Sequence, residues 1–200
     1  MSEDPRQHLV AIAHLVFARR LTDASGGNLS LRQGARVYMS PAKAGSKQQW
    51  QIGPGDVLTM DLQGNVVEGP DRRTREWQMH LGIYRAFERA GGILHAQAGY
   101  LMAFVAAGKA MPPVLEHTRK FGTVGLTQFA PAHSAELARN VLEALTPQAS
   151  ELEKHALATI IPQHGIIVVG RDLDDAFDAL DRLETNAQAI LLGKLLGSTI

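Results

Sequence analysis

Two short apolar runs, Leu157 to Ile161 and Ile166 to Val169, are separated only by Pro162-Gln163-His164-Gly165. Apolar runs of this length bounded by turn residues read as buried strands, and four intervening residues allow only a tight corner. Directly behind them Asp172 opens a long segment. There Leu173, Ala176, Phe177, Leu180, Leu183, Ala187, Ile190 and Leu191 recur at helical spacing, and the stripe stays apolar to Leu196. A buried hairpin and a long one-sided helix must cover each other, so this end of the chain demands stacked layers.

The rest of the chain extends that plan. Pro5 to Arg20 reads as an amphipathic helix, with Leu9, Ile12, Ala13, Leu15 and Val16 on one side. It ends at Ser25-Gly26-Gly27. Asn28 to Arg32 and Arg36 to Ser40 read as a hairpin across Gln33-Gly34-Ala35, and Asp56 to Asp61 pairs with Asn65 to Glu68 around Gln63-Gly64. A helix is expected from about Arg75 to Arg89, stopped by Gly91-Gly92. Gly92 to Ala96 is a short buried strand, Tyr100 to Ala107 begins a helix, and Pro112-Pro113 breaks the chain. Val124 to Phe129 is expected as a strand. Ser134 caps a helix through Leu145, and Ser150 with Glu153 resembles a capping box for a further short turn. Helices on either side of these strands imply an α/β fold: three layers, α/β/α, around a central, mostly antiparallel sheet.

Length and charge narrow the function. The 200 residues fit one domain spanning 1–200. Lys and Arg number 20, as do Asp and Glu, and no basic stripe interleaved with aromatics appears, so nucleic acid is a poor partner. Cysteine is absent, so a bound metal must take nitrogen and oxygen ligands. That absence, with no signal peptide visible in Met1-Ser2-Glu3-Asp4-Pro5, fits a cytoplasmic protein. No apolar run is long enough to cross a bilayer, and no membrane association is expected.

Three segments carry proton-transfer or metal-binding side chains at expected junctions between elements. They are Thr74 to His80, His95-Ala96-Gln97, and Gln163 to Asp172. His95 ends an apolar strand, and Gln97 shares its face because side chains alternate along a strand. His164 sits at the corner between two apolar strands, where Gly165 provides either close approach or positive φ. Glu76 starts a helix, where the macrodipole would favour a carboxylate even without any chemical task. Two histidines and a carboxylate form a divalent-metal ligand set. His80 reads as a structural or supporting residue. Gly26-Gly27-Asn28 and Ser40-Pro41-Ala42-Lys43 are shaped to cradle an anion. His117 and His133 lie in polar loops and read as surface residues; Glu116 is a loop carboxylate after Pro-Pro-Val-Leu.

These segments together resemble the class II aldolase/adducin family. The likeness spans nearly the whole chain and rests on Gly26-Gly27-Asn28-Leu29-Ser30, Met39-Ser40-Pro41, Asp56 to Gly64, Glu76 to Arg85, the strand ending in His95, and His164 to Phe177. The resemblance implies a lyase that cleaves or decarboxylates small phosphorylated sugars or related acids. It implies a divalent metal cofactor, zinc or alternatively manganese or cobalt, that polarises the substrate oxygens and stabilises an enediolate. It also implies a homotetramer with sites where subunits meet. On this likeness His95 and His164 are metal ligands, Glu76 is the catalytic residue that moves the proton, and Gln97 stands where a second strand-end histidine is expected. Gly27, Asn28, Ser40, Lys43, Thr74 and Arg75 fall in the substrate- and phosphate-binding segments.

Three departures matter. Gln97 replaces an imidazole by an amide, so it ligates through oxygen, or Glu76 and water complete the shell, or the site is metal-poor. Lys43 and Arg75 replace hydroxyl and glycine donors, and Arg can grip a phosphate or a carboxylate with two hydrogen bonds. No tyrosine stands near Val114 to Glu116, where some relatives carry a catalytic one. Two functional readings follow: a metal-dependent lyase acting on a small molecule, and a catalytically inactive oligomeric binding module. Persistence of Glu76, His95 and His164 favours the enzyme.

Overall fold

A computed structural model describes residues 4–24 and 26–197. Met1 to Glu3, and Ser25 of the expected Ser25-Gly26-Gly27 break, lie outside the described residues. The elements run α1 (Pro5–Ala18), β1 (Asn28–Gln33), β2 (Arg36–Met39), α2 (Ala44–Gln48), β3 (Leu58–Asp61), β4 (Val66–Glu68), α3 (Trp77–Ala86), β5 (Gly92–Ala96), α4 (Leu101–Ala107), α5 (Ala135–Leu145), β6 (Leu157–Ile161), β7 (Gly165–Gly170) and α6 (Leu173–Leu195). One seven-stranded sheet has the order β4-β3-β2-β1-β5-β7-β6, and each neighbouring pair is antiparallel.

Alternation along the strands divides the core in two. Ile166 and Val168 of β7 pack with Leu94 of β5 and with residues of α1, α4 and α6, such as Leu9, Leu101 and Leu180. Ile167 and Val169 pack with Ile93 and with residues of α3 and α5, such as Leu81 and Val141. Both faces of the central strands are therefore covered, which explains why these strands read as continuous apolar runs. Ile93 and Leu94 point to opposite faces yet both are fully buried, each worth about 1.5–3 kcal/mol of transfer free energy. The chain thus has the expected α/β/α layers with a mostly antiparallel sheet.

Local signals set the helix starts. The Ser134 hydroxyl accepts the Leu137 amide, and the Asp172 carboxylate accepts the Asp175 amide. Each cap is worth about 0.5–2 kcal/mol.

Several expectations need correction. Val124 to Phe129 forms no strand; it makes only isolated bridges, Met111 to Val124 and Leu126 to Ile160, because its contact with the free edge of β6 is confined to Ile160, whose carbonyl accepts the Thr127 amide and whose amide donates to the Gly125 carbonyl. The helix expected over Arg75 to Arg89 is shorter, ending at Ala86, with the Phe87 amide closing on Ile83. Gly92 answers a different need from stopping that helix: a Cβ there would lie 2.4 Å from the Asp172 carbonyl, so β5 passes directly against the start of α6. Ser150 and Glu153 both lie inside a 3-10 helix, Thr146–Glu153, rather than framing a new turn. The short α2 was not expected; left-handed residues Lys43 (φ 64°) and Gln49 (φ 49°) bound it.

Among the described residues, no helix is long and apolar enough to cross a membrane.

Candidate metal centre

The site forms where β5, the β6–β7 corner and the start of α3 meet. His95 shares its sheet face with Ile93, the face covered by α3 and α5. Glu76 occupies the N-cap of α3, but its side chain caps no helix amide. Its carboxylate turns toward the strands, so the macrodipole alone does not account for this residue.

The corner is a hairpin turn between β6 and β7, with His164 following Gln163 at φ 61°. Gly165 serves close approach rather than positive φ. A Cβ there would lie 2.6 Å from the Ala96 carbonyl and 3.0 Å from His95 Cε1. Glycine at this position lets the corner reach the strand that carries His95, and the two rings stand edge to face with centroids 4.8 Å apart.

Both imidazoles converge on one carboxylate. His95 Nε2 lies 3.5 Å from Glu76 Oε2, and His164 Nε2 lies 3.2 Å from Oε1. Ligand atoms of these residues all fall within 4.8 Å of one another. The side chains of His95 and Glu76 are only 1% and 4% exposed, and that of His164 is 16% exposed. Asn28 Nδ2 donates to Glu76 Oε2 at 2.8 Å. Oε1 is buried and accepts no hydrogen bond.

His95 Nδ1 lies 3.2 Å from the Ile166 carbonyl. A carbonyl only accepts, so in the neutral ring the proton sits on Nδ1 and the Nε2 lone pair faces Glu76. A carboxylate with an orphaned oxygen and an imidazole lone pair, buried side by side, form a pocket suited to a cation. The donor set is nitrogen and oxygen only, as zinc or another first-row divalent ion accepts. The residues therefore fit a divalent metal.

The charge states suit it as well. Burial would raise the Glu76 pKa, but facing His95, and then the Asn28 amide and His164, outweigh it and hold the group down at about 2. Burial, helped by the positive potential of His95, pushes His164 down to about 4. At neutral pH the carboxylate is ionised and the His164 ring is neutral, the forms that bind metals.

Behind the triad stands His80, fully buried, with Nδ1 2.7 Å from Ser30 Oγ; that hydroxyl also meets Tyr84 Oη at 2.9 Å. Burial pushes the His80 pKa down to about 3 and the Tyr84 pKa up. His80 thus has the supporting place read from the sequence. It also makes the fold acid-sensitive. Its folded pKa lies below the unfolded value, so the unfolded chain binds more protons between pH 6.5 and about 3. His164 acts in the same sense down to about pH 4. Stability is expected to fall as pH drops below 6.5, by up to about 1.4 kcal/mol per pH unit for each group. Urea denaturation at pH 7, 6, 5 and 4 checks this, and a flat profile would contradict it.

A cavity of about 450 Å³ opens over the triad. Gly27, Asn28, Lys43, Thr74 and Arg75 line it with Glu76, His95, Gln97 and His164. Ser40 is set apart. It is fully buried, and its hydroxyl accepts the Leu29 amide at 3.0 Å, which ties the end of β2 to β1. Gln97 lies just past the end of β5, with its amide against Gly26, and its Nε2 donates to the His164 carbonyl at 3.0 Å. It braces the corner that carries His164.

His133 is an exposed turn residue, as read from the sequence, but it also faces the site. Its Nδ1 lies 3.7 Å from Glu76 Oε1, its ring stands 5.8 Å from that of His164, and it lines the cavity. Burial, more than its charged neighbours, lowers its pKa. The only sequence signal was its place immediately before Ser134, the cap of a helix that packs against α3. His117 is exposed, as expected, and Glu116 begins a 3-10 helix, Glu116–Phe121, also exposed.

A largely buried triad of two histidines and a glutamate, under a cavity lined by Arg75 and Lys43, forms a candidate metal site consistent with class II aldolase-type lyase chemistry. Residues 7–191 match the model of the class II aldolase and adducin N-terminal domain, and the chain belongs to that family. It is 32% identical over 184 residues to an L-fuculose phosphate aldolase of Methanococcus maripaludis, covering 90% of this chain and 93% of that one. It is 25% identical over 195 residues to a 5-deoxy-D-ribulose 1-phosphate aldolase of Bacillus thuringiensis, covering 96% and 86%. Among solved structures, an L-fuculose 1-phosphate aldolase superposes with a TM-score of 0.86 at 26% identity, covering 100% of this chain and 91% of the other.

Proposed function

We propose that this protein is a divalent-metal-dependent lyase that breaks a C–C bond, by retro-aldol cleavage or decarboxylation, in a small hydroxy-carbonyl compound bearing a phosphate or carboxylate. The observation that carries this reading is Glu76: its Oε1 is buried, ionised and without a hydrogen bond, and the residue lines a cavity of substrate size. Relatives with aldolase names support it.

His95, His164 and Glu76 would hold the ion, with zinc favoured and manganese or cobalt also compatible with these ligands. Gln97 lines the same cavity and braces the corner that carries His164. When bound, a divalent ion supplies Lewis acidity toward substrate oxygens. The chain's own residues do the rest. Arg75 and Lys43 bind the substrate's anionic end and so fix which bond lies over the triad. Asn28 holds Glu76 Oε2 and leaves Oε1 to act on the substrate. In the retro-aldol case Glu76 would accept the β-hydroxyl proton as the C–C bond breaks and the electron pair passes to an enediolate; it would then return that proton to the enediolate carbon, so the residue ends as it began. We extend the proposal to a homotetramer in the cytoplasm; exposed Leu192, Leu195 and Leu196 at the end of α6 suit a subunit contact.

Chelator-treated protein and protein reloaded with zinc, manganese or cobalt should be compared on a panel of phosphorylated ketoses and hydroxy-keto acids. Cleavage is expected only in reloaded samples. Protein that shows neither cleavage nor a thermal shift with any of the three ions would instead be a binding module.

A further inference from the structure

We propose that His133 is a metal ligand, supplying the third imidazole in place of the strand-end histidine that Gln97 replaces. The inference rests on the metal-site reading above and concerns which of this chain's residues complete the shell.

Three imidazole nitrogens surround one carboxylate. His164 Nε2 and His133 Nδ1 flank Glu76 Oε1 at 3.2 and 3.7 Å, while His95 Nε2 faces Oε2 at 3.5 Å. Ligand atoms of Glu76, His95 and His164 already lie within 4.8 Å of one another, and a turn of the His133 side chain, which now stands 3.7 Å from Oε1, would bring a third imidazole into that group. The flanked oxygen is the buried one with no hydrogen bond, so the imidazoles meet at an uncompensated negative charge. The His133 and His164 rings stand edge to face, nearly perpendicular at 87°, with centroids 5.8 Å apart.

Gln97 is poorly placed to do the same. Its amide nitrogen is committed to the His164 carbonyl, and a side chain that braces the corner cannot swing freely to the ion. His133 has the opposite character. Its side chain is 30% exposed, so it can turn about its own bonds toward the carboxylate. Its backbone is held at φ 65°, a left-handed conformation that a histidine adopts at a cost and that aims the ring at the cavity from the start of α5. Strain of this kind concentrates at functional positions.

The test uses cobalt as the probe ion, read by titration and by its visible absorption, with no need for turnover. His133→Gly suits the backbone, because glycine takes positive φ without penalty, and His133→Asn is a second variant that tolerates it. Both are expected to bind cobalt at least about tenfold more weakly than the parent chain. Both should also show an altered visible spectrum, and free imidazole should restore the spectrum of His133→Gly toward the parent's. Unchanged affinity and spectrum would overturn the proposal and leave the lyase reading intact. Weaker binding with an unchanged spectrum would also overturn it, making His133 a hydrogen-bond partner of Glu76. Parent protein that takes up no cobalt would overturn both readings.

Discussion

Glu76→Gln is expected to lower turnover by about 10²–10⁴-fold, the usual worth of a positioned proton-transfer group. The substitution keeps the shape and an oxygen that can accept the Asn28 amide, now made at 2.8 Å. It removes the charge and places an amide where Oε1 faces His164 and His133. The loss should appear in kcat at saturating metal and substrate. Thermal stability should fall, because the neighbours that hold the carboxylate down at about 2 outweigh the cost of its burial, and that net contribution is lost with the charge. A variant that keeps more than about a tenth of parental kcat would remove Glu76 from the chemistry.

The second large effect is on metal content. His95→Ala and His164→Ala are each expected to purify without stoichiometric metal and to show no cobalt binding in the range where the parent saturates. The two should differ in stability. His95 lies within the sheet core, and its Nδ1–H bonds the Ile166 carbonyl, so truncation removes a buried hydrogen bond and leaves a void. A loss of about 1–3 kcal/mol is expected. His164 sits on a turn with Nδ1 making no protein hydrogen bond, and its loss should cost under about 1 kcal/mol. Elemental analysis reads the first property and urea midpoints the second. Equal destabilisation would mean that the rings hold the fold together rather than an ion.

The site was legible in part because its members sit at punctuated positions. His164 lies between Pro162, two residues earlier, and the adjacent Gly165, in the corner between apolar runs, and His95 closes such a run. Those contexts mark element ends, where a scaffold exposes side chains. His133 carried no comparable mark. It reaches Glu76 because α5 and α3 pack over the same sheet face, and no local pattern reports which helices become neighbours. Ser40 shows the converse: a Ser-Pro in a promising segment turned out to be tied to a backbone amide of the adjacent strand. The unformed strand at Val124 to Phe129 failed for a similar reason. Its apolar content was suitable, but strand formation needs a partner edge, and β6 offered it only isolated bridges.

What the amino-acid order alone determined were the features governed by interactions within a few residues: the Ser134 and Asp172 caps, the hairpin corner at His164, the stripe of α6 and the layered α/β character. Tertiary structure alone decided the strand order, the convergence of three imidazoles on one carboxylate, and the use of Gln97 as a brace. The physical reason is range. Capping and periodicity are settled by neighbouring groups along the chain, whereas the position of a side chain against a distant carboxylate depends on how whole layers pack around a shared core.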